Sequence, residues 1–140
     1  REIEDHSGIV SVWLGRVDGA KELRSYMKEQ YTDDDAPISE FAREFCLWYD
    51  HDFVESSVSR KKEPTVADLL RGHSYAESFR DPIVAAAKKK RIKDANAIVL
   101  IYDFEFDPKK PVCSESAHRL EGKLPRTTRL TFIGAVPYEK

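Results

Sequence analysis

The stretch NAIVLIYDFEF, residues Asn96–Phe106, is the strongest strand signal in the chain, because β-branched and aromatic residues dominate it. Alternate side chains of an extended chain point to opposite faces. After Asn96, one face carries the apolar and aromatic side chains Ile98, Leu100, Tyr102, Phe104 and Phe106. The opposite face carries Ala97, Val99 and Ile101, followed by Asp103 and Glu105. The first half is therefore apolar on both faces and predicts a central strand, whereas the second half predicts a projection toward solvent.

Two further stretches predict strands. Residues Gly8–Gly15 (GIVSVWLG) are rich in β-branched and aromatic side chains and predict a first strand, with Trp13 in the core. Residues Thr127–Val136 (TTRLTFIGAV) predict a last strand. We expect this last strand to pair antiparallel with Asn96–Phe106 as a broad hairpin.

Helical patterns separate these strands. Apolar side chains spaced at i, i+3 and i+4 predict a first helix over Leu23–Gln30 and a second over Ile38–Phe45. Capping boxes at Thr65–Asp68 and Ser74–Glu77 predict two further helix starts. Pro82 then predicts a fresh helix or a kink.

The fold class follows from the order of these elements. Leu47–Phe53 is compatible with a short strand or an ordered loop, and the polar segment Val54–Pro64 predicts a mobile connection. The order is then β-α-α-(β)-α-α-β-β. Because strands and helices are segregated, it predicts an α+β fold: a small, mainly antiparallel sheet of three to five strands with helices packed on it. A length of 140 residues predicts a single domain spanning residues 1–140.

Composition argues against several classes of protein. Charged residues make up 34%, yet 23 Lys and Arg against 25 Asp and Glu leave a formal net charge of −2. This balance disfavours a strongly basic nucleic-acid binder and a disordered polyelectrolyte. No apolar run approaches the roughly 20 residues of a membrane-spanning helix, so we expect no membrane association. Cys46 and Cys113 form no C-x-x-C pair and are expected to be reduced thiols, with a single disulfide between them as the alternative.

The sequence carries no recognisable catalytic or cofactor motif. It has no Gly-rich phosphate loop and no G-x-S-x-G elbow, and its four His and two Cys lack metal-ligand spacing. We therefore expect no catalytic residue, no metal and no cofactor.

The most enzyme-like triplet is Asp50-His51-Asp52. Two carboxylates beside an imidazole are the groups that a metal-dependent hydrolase would use, with Asp103 as a further candidate. On an extended strand the three side chains cannot converge, because neighbours point to opposite faces. A turn or helix cap is therefore the favoured interpretation, with a metal-dependent hydrolase as the alternative function.

Clusters of acidic residues could meet a basic partner. Asp103, Glu105 and Asp107 alternate along the predicted projecting half of the long strand and would line one face if it stayed extended. The second cluster consists of Asp33, Asp34 and Asp35. For both clusters a solvated surface is the favoured interpretation, with a basic partner as the alternative, and the first could also hold a divalent cation.

Basic residues and one aromatic pair complete the candidates. Lys88–Arg91 ends a predicted helix, where cations complement the helix dipole, and Arg60–Lys62 lies in the predicted connection. These two runs support a nucleic-acid-binding module as a third hypothesis, although nucleic acid is the less expected partner. Trp48 is a candidate binding anchor, because Trp48 and Tyr49 would point to opposite sides of a strand and expose one ring.

The first half of the chain also resembles a known family. The segments VSVWLG (Val10–Gly15), YTDDD (Tyr31–Asp35), ISEFAREF (Ile38–Phe45) and WYDHDF (Trp48–Phe53) are similar to the immunity protein 22 family of bacterial polymorphic-toxin systems. The resemblance implies a cytoplasmic antidote that binds and blocks a cognate toxin protein, without catalysis. Many toxins of such systems are nucleases, whose basic substrate grooves carboxylates can occupy.

The resemblance transfers no toxin-contact residue to this chain. Charge and exposure alone supply the candidates for partner binding. They are Asp33, Asp34, Asp35, Trp48, Asp50, Asp52, Asp103, Glu105 and Asp107.

Overall fold

The computed structural model describes residues 7–28, 30–31, 37–45, 47, 49–109 and 129–140. In chain order the elements are β1 (Ile9–Arg16), α1 (Ala20–Met27), β2 (Gln30–Tyr31), β3 (Pro37–Ile38), α2 (Glu40–Phe45), a 3-10 helix (His51–Phe53), β4 (Val54–Val58), α3 (Val66–Leu70), α4 (Ala76–Lys89), β5 (Ala97–Tyr102) and β6 (Arg129–Pro137).

A four-stranded sheet in the order β4-β5-β1-β6 organises the fold. Every neighbouring pair of strands in it is antiparallel. β5 lies inside the sheet and all six of its residues are buried, which confirms the prediction of a central strand. A two-stranded ladder, β2-β3, is separate from this sheet. The α+β class and the antiparallel sheet are thereby confirmed.

The predicted hairpin between the last two strands is wrong. β6 pairs with β1, from Ile9 opposite Pro137 to Arg16 opposite Arg129, and β5 pairs with the other edge of β1. Six of the eight β1 residues are buried, so this strand also belongs inside the sheet and needs a partner on each side. Pairing of strands adjacent in sequence is only a tendency, and burial of β1 outweighs it here.

The predicted mobile connection is also wrong over its first part. Val54–Val58 forms β4, which pairs with β5 at the edge of the sheet. Val54 and Val58 pack against buried core residues, while Glu55 and Ser57 point the other way. An edge strand needs only one partly apolar face, so its overall composition can be polar. β4 therefore lacks the apolar run that predicted the other strands.

The long strand ends earlier than predicted. β5 stops at Tyr102, and Asp103 adopts a left-handed conformation with φ 56°. The Asp103 carboxylate accepts a hydrogen bond from Gly8 N–H at 2.8 Å, which holds this turn in place. Asp103, Glu105 and Asp107 therefore do not line one face of an extended strand. After the turn, Phe106 packs on the side of the sheet that also buries Val99.

Helices cover both faces of the sheet. On one face, α3 and α4 contribute Leu69, Leu70, Phe79 and Ile83 to a core with Val12, Leu100 and Tyr102. On the other face, α1 and α2 contribute Leu23, Tyr26 and Phe41 to a core with Trp13, Val99 and Phe106. Trp13 is fully buried, as predicted.

One predicted helix start is confirmed and two are wrong. The capping box of Thr65 and Asp68 is present at the start of α3. The box predicted at Ser74–Glu77 is wrong, because both Ser74 N–H and Ser74 Oγ donate to Glu55 instead. The fresh helix predicted at Pro82 is wrong as well, since α4 runs through this residue without interruption.

Candidate partner-binding site

A cleft of about 190 Å³ opens where β4, the α3–α4 turn and the ends of β5 and β6 meet. We call it the aromatic–acidic cleft. It is lined by Asp52, Phe53, Glu55, Ser74, Tyr75, Tyr102, Asp103, Tyr138 and Lys140.

Two exposed aromatic rings flank this cleft. Phe53 is 46% exposed and Tyr75 is 45% exposed, and they are the exposed large hydrophobic side chains among the described residues. Tyr75 stacks on Tyr138, with ring centroids 5.5 Å apart and planes inclined by 25°. Phe53 ends the 3-10 helix, immediately before β4. Exposed aromatic side chains of this kind are typical anchors of protein–protein interfaces.

Three carboxylates and one ammonium group provide the charges of the cleft. Asp103 accepts hydrogen bonds from Tyr138 Oη at 2.6 Å and from Gly8 N–H at 2.8 Å, and both interactions lower the pKa of Asp103. Burial, together with the nearby Asp103 carboxylate, raises the pKa of Tyr138 to about 12. Asp103 is therefore ionised and Tyr138 is neutral at pH 7.

Glu55 lies at the junction of β4 and the α3–α4 turn. Its Oε1 accepts from Ser74 N–H at 3.1 Å and lies 2.9 Å from His73 Nδ1, and its Oε2 accepts from Ser74 Oγ at 2.5 Å. Partial burial raises the pKa of Glu55, but the hydrogen bonds from Ser74 and His73 outweigh it and lower the pKa overall. The Glu55 carboxylate thus adds a fixed negative charge beside Asp52 and Asp103.

The triplet Asp50-His51-Asp52 forms the 3-10 helix and its cap. Asp50 Oδ1 accepts from Asp52 N–H at 3.0 Å, which confirms the interpretation of a cap. The three side chains do converge, with candidate ligand atoms within 4.8 Å of one another, because the segment is not an extended strand. All three are exposed, and Asp50 is already engaged by the backbone. This arrangement has the donor chemistry for a divalent cation, but exposed acidic groups commonly occur without one.

The other predicted binding residues are distributed as follows. Asp52 and Asp103 line the aromatic–acidic cleft, and Asp50 is adjacent to Asp52. Glu105 and Asp107 are exposed but do not line it, and Asp107 Oδ1 accepts from Lys109 N–H at 2.9 Å within a turn. Asp33, Asp34, Asp35 and Trp48 lie outside the described residues, as do Cys46 and Cys113.

A second cleft has a volume of about 770 Å³. Tyr75 and Lys140 line both clefts, so the two clefts adjoin at these residues. The second cleft mixes charges of both signs. Its charged lining residues are Arg71, Glu77, Arg80, Glu139 and Lys140, with His73 also in its wall.

Sequence reasoning missed Phe53, Glu55, His73 and Tyr75. No motif marks them, because they come from two short segments, one around the start of β4 and one in the α3–α4 turn, that meet only in the folded chain. Ser57 Oγ lies 2.8 Å from His73 Nε2, so Ser57, His73 and Glu55 form a hydroxyl–imidazole–carboxylate chain. Ser57 lines neither cleft, and this placement favours a role in holding the turn over a role as a nucleophile.

The basic run at the end of α4 lies where the sequence predicted. α4 ends at Lys89, and Lys88, Lys89 and Lys90 are exposed. Lys90 Nζ donates to the Phe132 carbonyl at 3.0 Å and lies 5.8 Å from the centroid of its ring, so this lysine contacts β6. Within the described part of the chain, no helix is both long enough and apolar enough to cross a membrane.

These features define a small α+β protein whose exposed cleft combines aromatic anchors with carboxylates. A family model described as Immunity protein 22 matches residues 10–139. The chain therefore belongs to the Immunity protein 22 family, which confirms the resemblance found in the sequence and supports an immunity function. The searches of curated proteins and of solved structures returned no match.

Proposed function

We propose that this chain is an immunity protein that neutralises a cognate bacterial toxin in the cytoplasm by stoichiometric binding, without catalysis. We place the centre of the toxin-binding surface at the aromatic–acidic cleft. One observation carries this assignment: the exposed rings of Phe53 and Tyr75 flank a cleft that three carboxylates line. Membership of the Immunity protein 22 family supports the class of function.

The chemistry of the cleft fits a partner with a basic surface. Among the described residues that line it, three carboxylates face one ammonium group, from Lys140, so this lining carries a net negative charge. A negative surface speeds encounter with a positive partner and disfavours partners of the same sign. Aromatic side chains that lose their exposure on binding supply affinity. The substrate groove of a nuclease toxin is one basic surface of this kind.

Co-expression with the toxin encoded beside this chain tests the function. The expected result is that the chain restores growth to cells that produce the toxin and copurifies with the toxin domain in a constant ratio. Growth arrest that co-expression does not relieve would exclude that toxin as the partner.

The double variant Phe53→Ala and Tyr75→Ala tests the surface. We expect its Kd for the toxin to rise about a hundredfold, because truncation of two interface anchors costs about 3 kcal/mol in total. Calorimetric titration measures this change. The matched control is Lys88→Ala with Lys89→Ala, at the opposite end of α4, about 20 Å from Tyr75 for a helix of this length. An unchanged Kd in the first variant would remove the cleft from the interface.

The charge of the cleft is best tested at Asp52. Asp103 is less suitable, because it accepts hydrogen bonds from Gly8 and Tyr138, so its substitution would change these bonds as well as the charge. Asp52→Asn should slow association severalfold at low salt and make the association rate less sensitive to salt, with little change in dissociation. Stopped-flow measurements at two salt concentrations give both quantities. An association rate equal to that of the wild type at both would show that this carboxylate is outside the interface.

A further inference from the structure

The α3–α4 turn is tied to the edge of the sheet through one carboxylate. Glu55, on β4, accepts from Ser74 N–H at 3.1 Å and from Ser74 Oγ at 2.5 Å, and lies 2.9 Å from His73 Nδ1. Ser57, two residues further along β4, lies 2.8 Å from the other ring nitrogen of His73. The side chains of Glu55 and Ser57 on β4 thus hold His73 and Ser74, two successive residues of the turn.

Tyr75, the next residue along the chain, has a strained backbone. Its φ of 59° and ψ of 16° place it in the left-handed region, which aromatic residues rarely adopt. Such conformations persist only where the surrounding structure over-determines them, and they concentrate at functional sites. The strained residue here is also one of the two large hydrophobic side chains that are exposed in the described part of the chain.

Contacts on both sides of Tyr75 hold it in this conformation. Before it, the Ser74 carbonyl accepts from Tyr102 Oη at 2.7 Å, in addition to the bonds with Glu55. After it, the Tyr75 carbonyl accepts from Ser78 N–H at 3.0 Å and from Ser78 Oγ at 2.8 Å, and α4 begins at Ala76. The ring itself stacks on Tyr138. The exposed ring is therefore held in one position in the absence of a partner.

We propose that Glu55 is a positioning residue that fixes the α3–α4 turn and thereby presents the ring of Tyr75 to the toxin. This inference rests on the proposed function, because it assigns Glu55 a role in the same interface. A ring that is already ordered loses less conformational entropy on binding than a mobile one. Glu55 contributes to affinity through Tyr75, and its charge is secondary.

A double-mutant cycle separates positioning from direct contact by charge. Glu55→Gln keeps the size of the side chain but places an amide N–H₂ where one of the two acceptor oxygens was. In the wild-type background it should raise the Kd about three- to tenfold, the range expected for ordering one or two side chains on binding. In the Tyr75→Ala background the same substitution should raise the Kd clearly less, because the ring that Glu55 positions is gone and only the loss of one cleft charge remains.

The matched control is Glu77→Gln. Glu77 is exposed in the first turn of α4, two residues beyond Tyr75, so its substitution removes a nearby negative charge and leaves the bonds of Glu55 intact. It should change the Kd less than about twofold at roughly 0.15 M salt, because an exposed surface charge contributes little to affinity. An equal loss of affinity from Glu55→Gln in both backgrounds, diminishing with salt, would overturn the proposal and show that Glu55 acts by charge.

Amide hydrogen exchange tests the tether without any partner. Glu55→Gln should accelerate exchange of the Ser74 amide at least about tenfold, since a weaker acceptor opens this site more often. Exchange in β1 and β5 should be unchanged and serves as the internal reference. An unchanged Ser74 rate overturns the proposal whatever the toxin does. Failure of the wild-type chain to bind any neighbouring toxin would instead count against the proposed function itself.

Discussion

Two groups of aromatic residues, one on each face of the sheet, differ in what their rings contribute. The inner aromatic cluster consists of Trp13, Phe41, Phe45, Phe106 and Phe132, with ring centroids as close as 4.8 Å. The tyrosine cluster consists of Tyr75, Tyr102 and Tyr138, with centroids 5.2 to 6.3 Å apart.

The hydroxyl groups account for the difference. Tyr102 Oη donates to the Ser74 carbonyl and Tyr138 Oη donates to Asp103, so these rings connect the sheet to the α3–α4 turn and to the end of β5. In the inner aromatic cluster, Trp13 Nε1 is buried and has no hydrogen-bond partner among the described residues. The comparison indicates that the inner aromatic cluster mainly stabilises the fold, whereas the tyrosine cluster also holds one ring at the surface.

Truncation of Trp13 should have the largest effect on stability. Trp13→Ala should lower the free energy of unfolding by about 3–5 kcal/mol, as expected for loss of a buried aromatic side chain. Urea unfolding followed by circular dichroism measures this loss. The control Trp13→Phe keeps a ring and removes the unpaired indole N–H, so it should lose less than about half as much. A loss of stability well below this range in Trp13→Ala would mean that the inner aromatic cluster does not form the core on its face of the sheet.

Removal of the Tyr102 hydroxyl should have the next largest effect. Tyr102→Phe should lower the free energy of unfolding by about 1–2 kcal/mol, because it deletes a 2.7 Å hydrogen bond and leaves the Ser74 carbonyl without this donor. Tyr75→Phe is the control, since its ring is nearly half exposed, and should change stability by less than about 0.5 kcal/mol. Equal urea midpoints for Tyr102→Phe and the wild type would contradict a linking role for this hydroxyl.

Substitutions at Tyr75 should reveal the strain of its backbone. Tyr75→Gly should be more stable than Tyr75→Ala by about 1 kcal/mol, because glycine adopts a positive φ without the steric penalty that alanine pays. Both variants lose the ring, so the difference between their free energies of unfolding reports the strain of the backbone. If the alanine variant were equally stable, the left-handed conformation would not persist after truncation of the ring.

Asp103 should make a smaller contribution to the free energy of unfolding, and this contribution should disappear at low pH. Its pKa in the folded protein is lowered, so its stabilising contribution is present above the ordinary pKa of about 3.9 and is lost as the pH falls through the folded value. Asp103→Asn should therefore be slightly less stable at pH 7, by less than about 1 kcal/mol because solvent screens the site, and the difference should shrink below about pH 4. Unfolding measured from pH 7 to pH 2.5 tests this. A difference that stays constant with pH would assign the effect to geometry and not to charge.

Much of the fold could be predicted from local patterns. The apolar run of β5, the β1 segment and the capping box at Thr65 each carry their own signal, because burial on both faces and backbone capping depend on neighbouring residues. The capping box predicted at Ser74–Glu77 is absent although these residues fit its pattern. The Glu55 carboxylate accepts hydrogen bonds from both Ser74 N–H and Ser74 Oγ instead. Val54–Val58 was missed as a strand because its partner, β5, lies about forty residues further along the chain.

The candidate site was predicted only in part. Charge patterns indicated Asp50, Asp52 and Asp103, since acidic clusters are visible in sequence. They could not indicate Phe53 or Tyr75, because exposure of an aromatic ring depends on what packs against it.

The sequence by itself determined the α+β class and the central position of β5, because these follow from periodicity along the chain, and its short motifs carried the resemblance to the Immunity protein 22 family. Only the tertiary structure decided that β1 lies between β5 and β6, that the chain turns at Asp103, and that Asp52, Glu55 and Tyr75 share one cleft. Strand order and the competition for hydrogen bonds depend on residues far apart in the chain, so no local pattern encodes them.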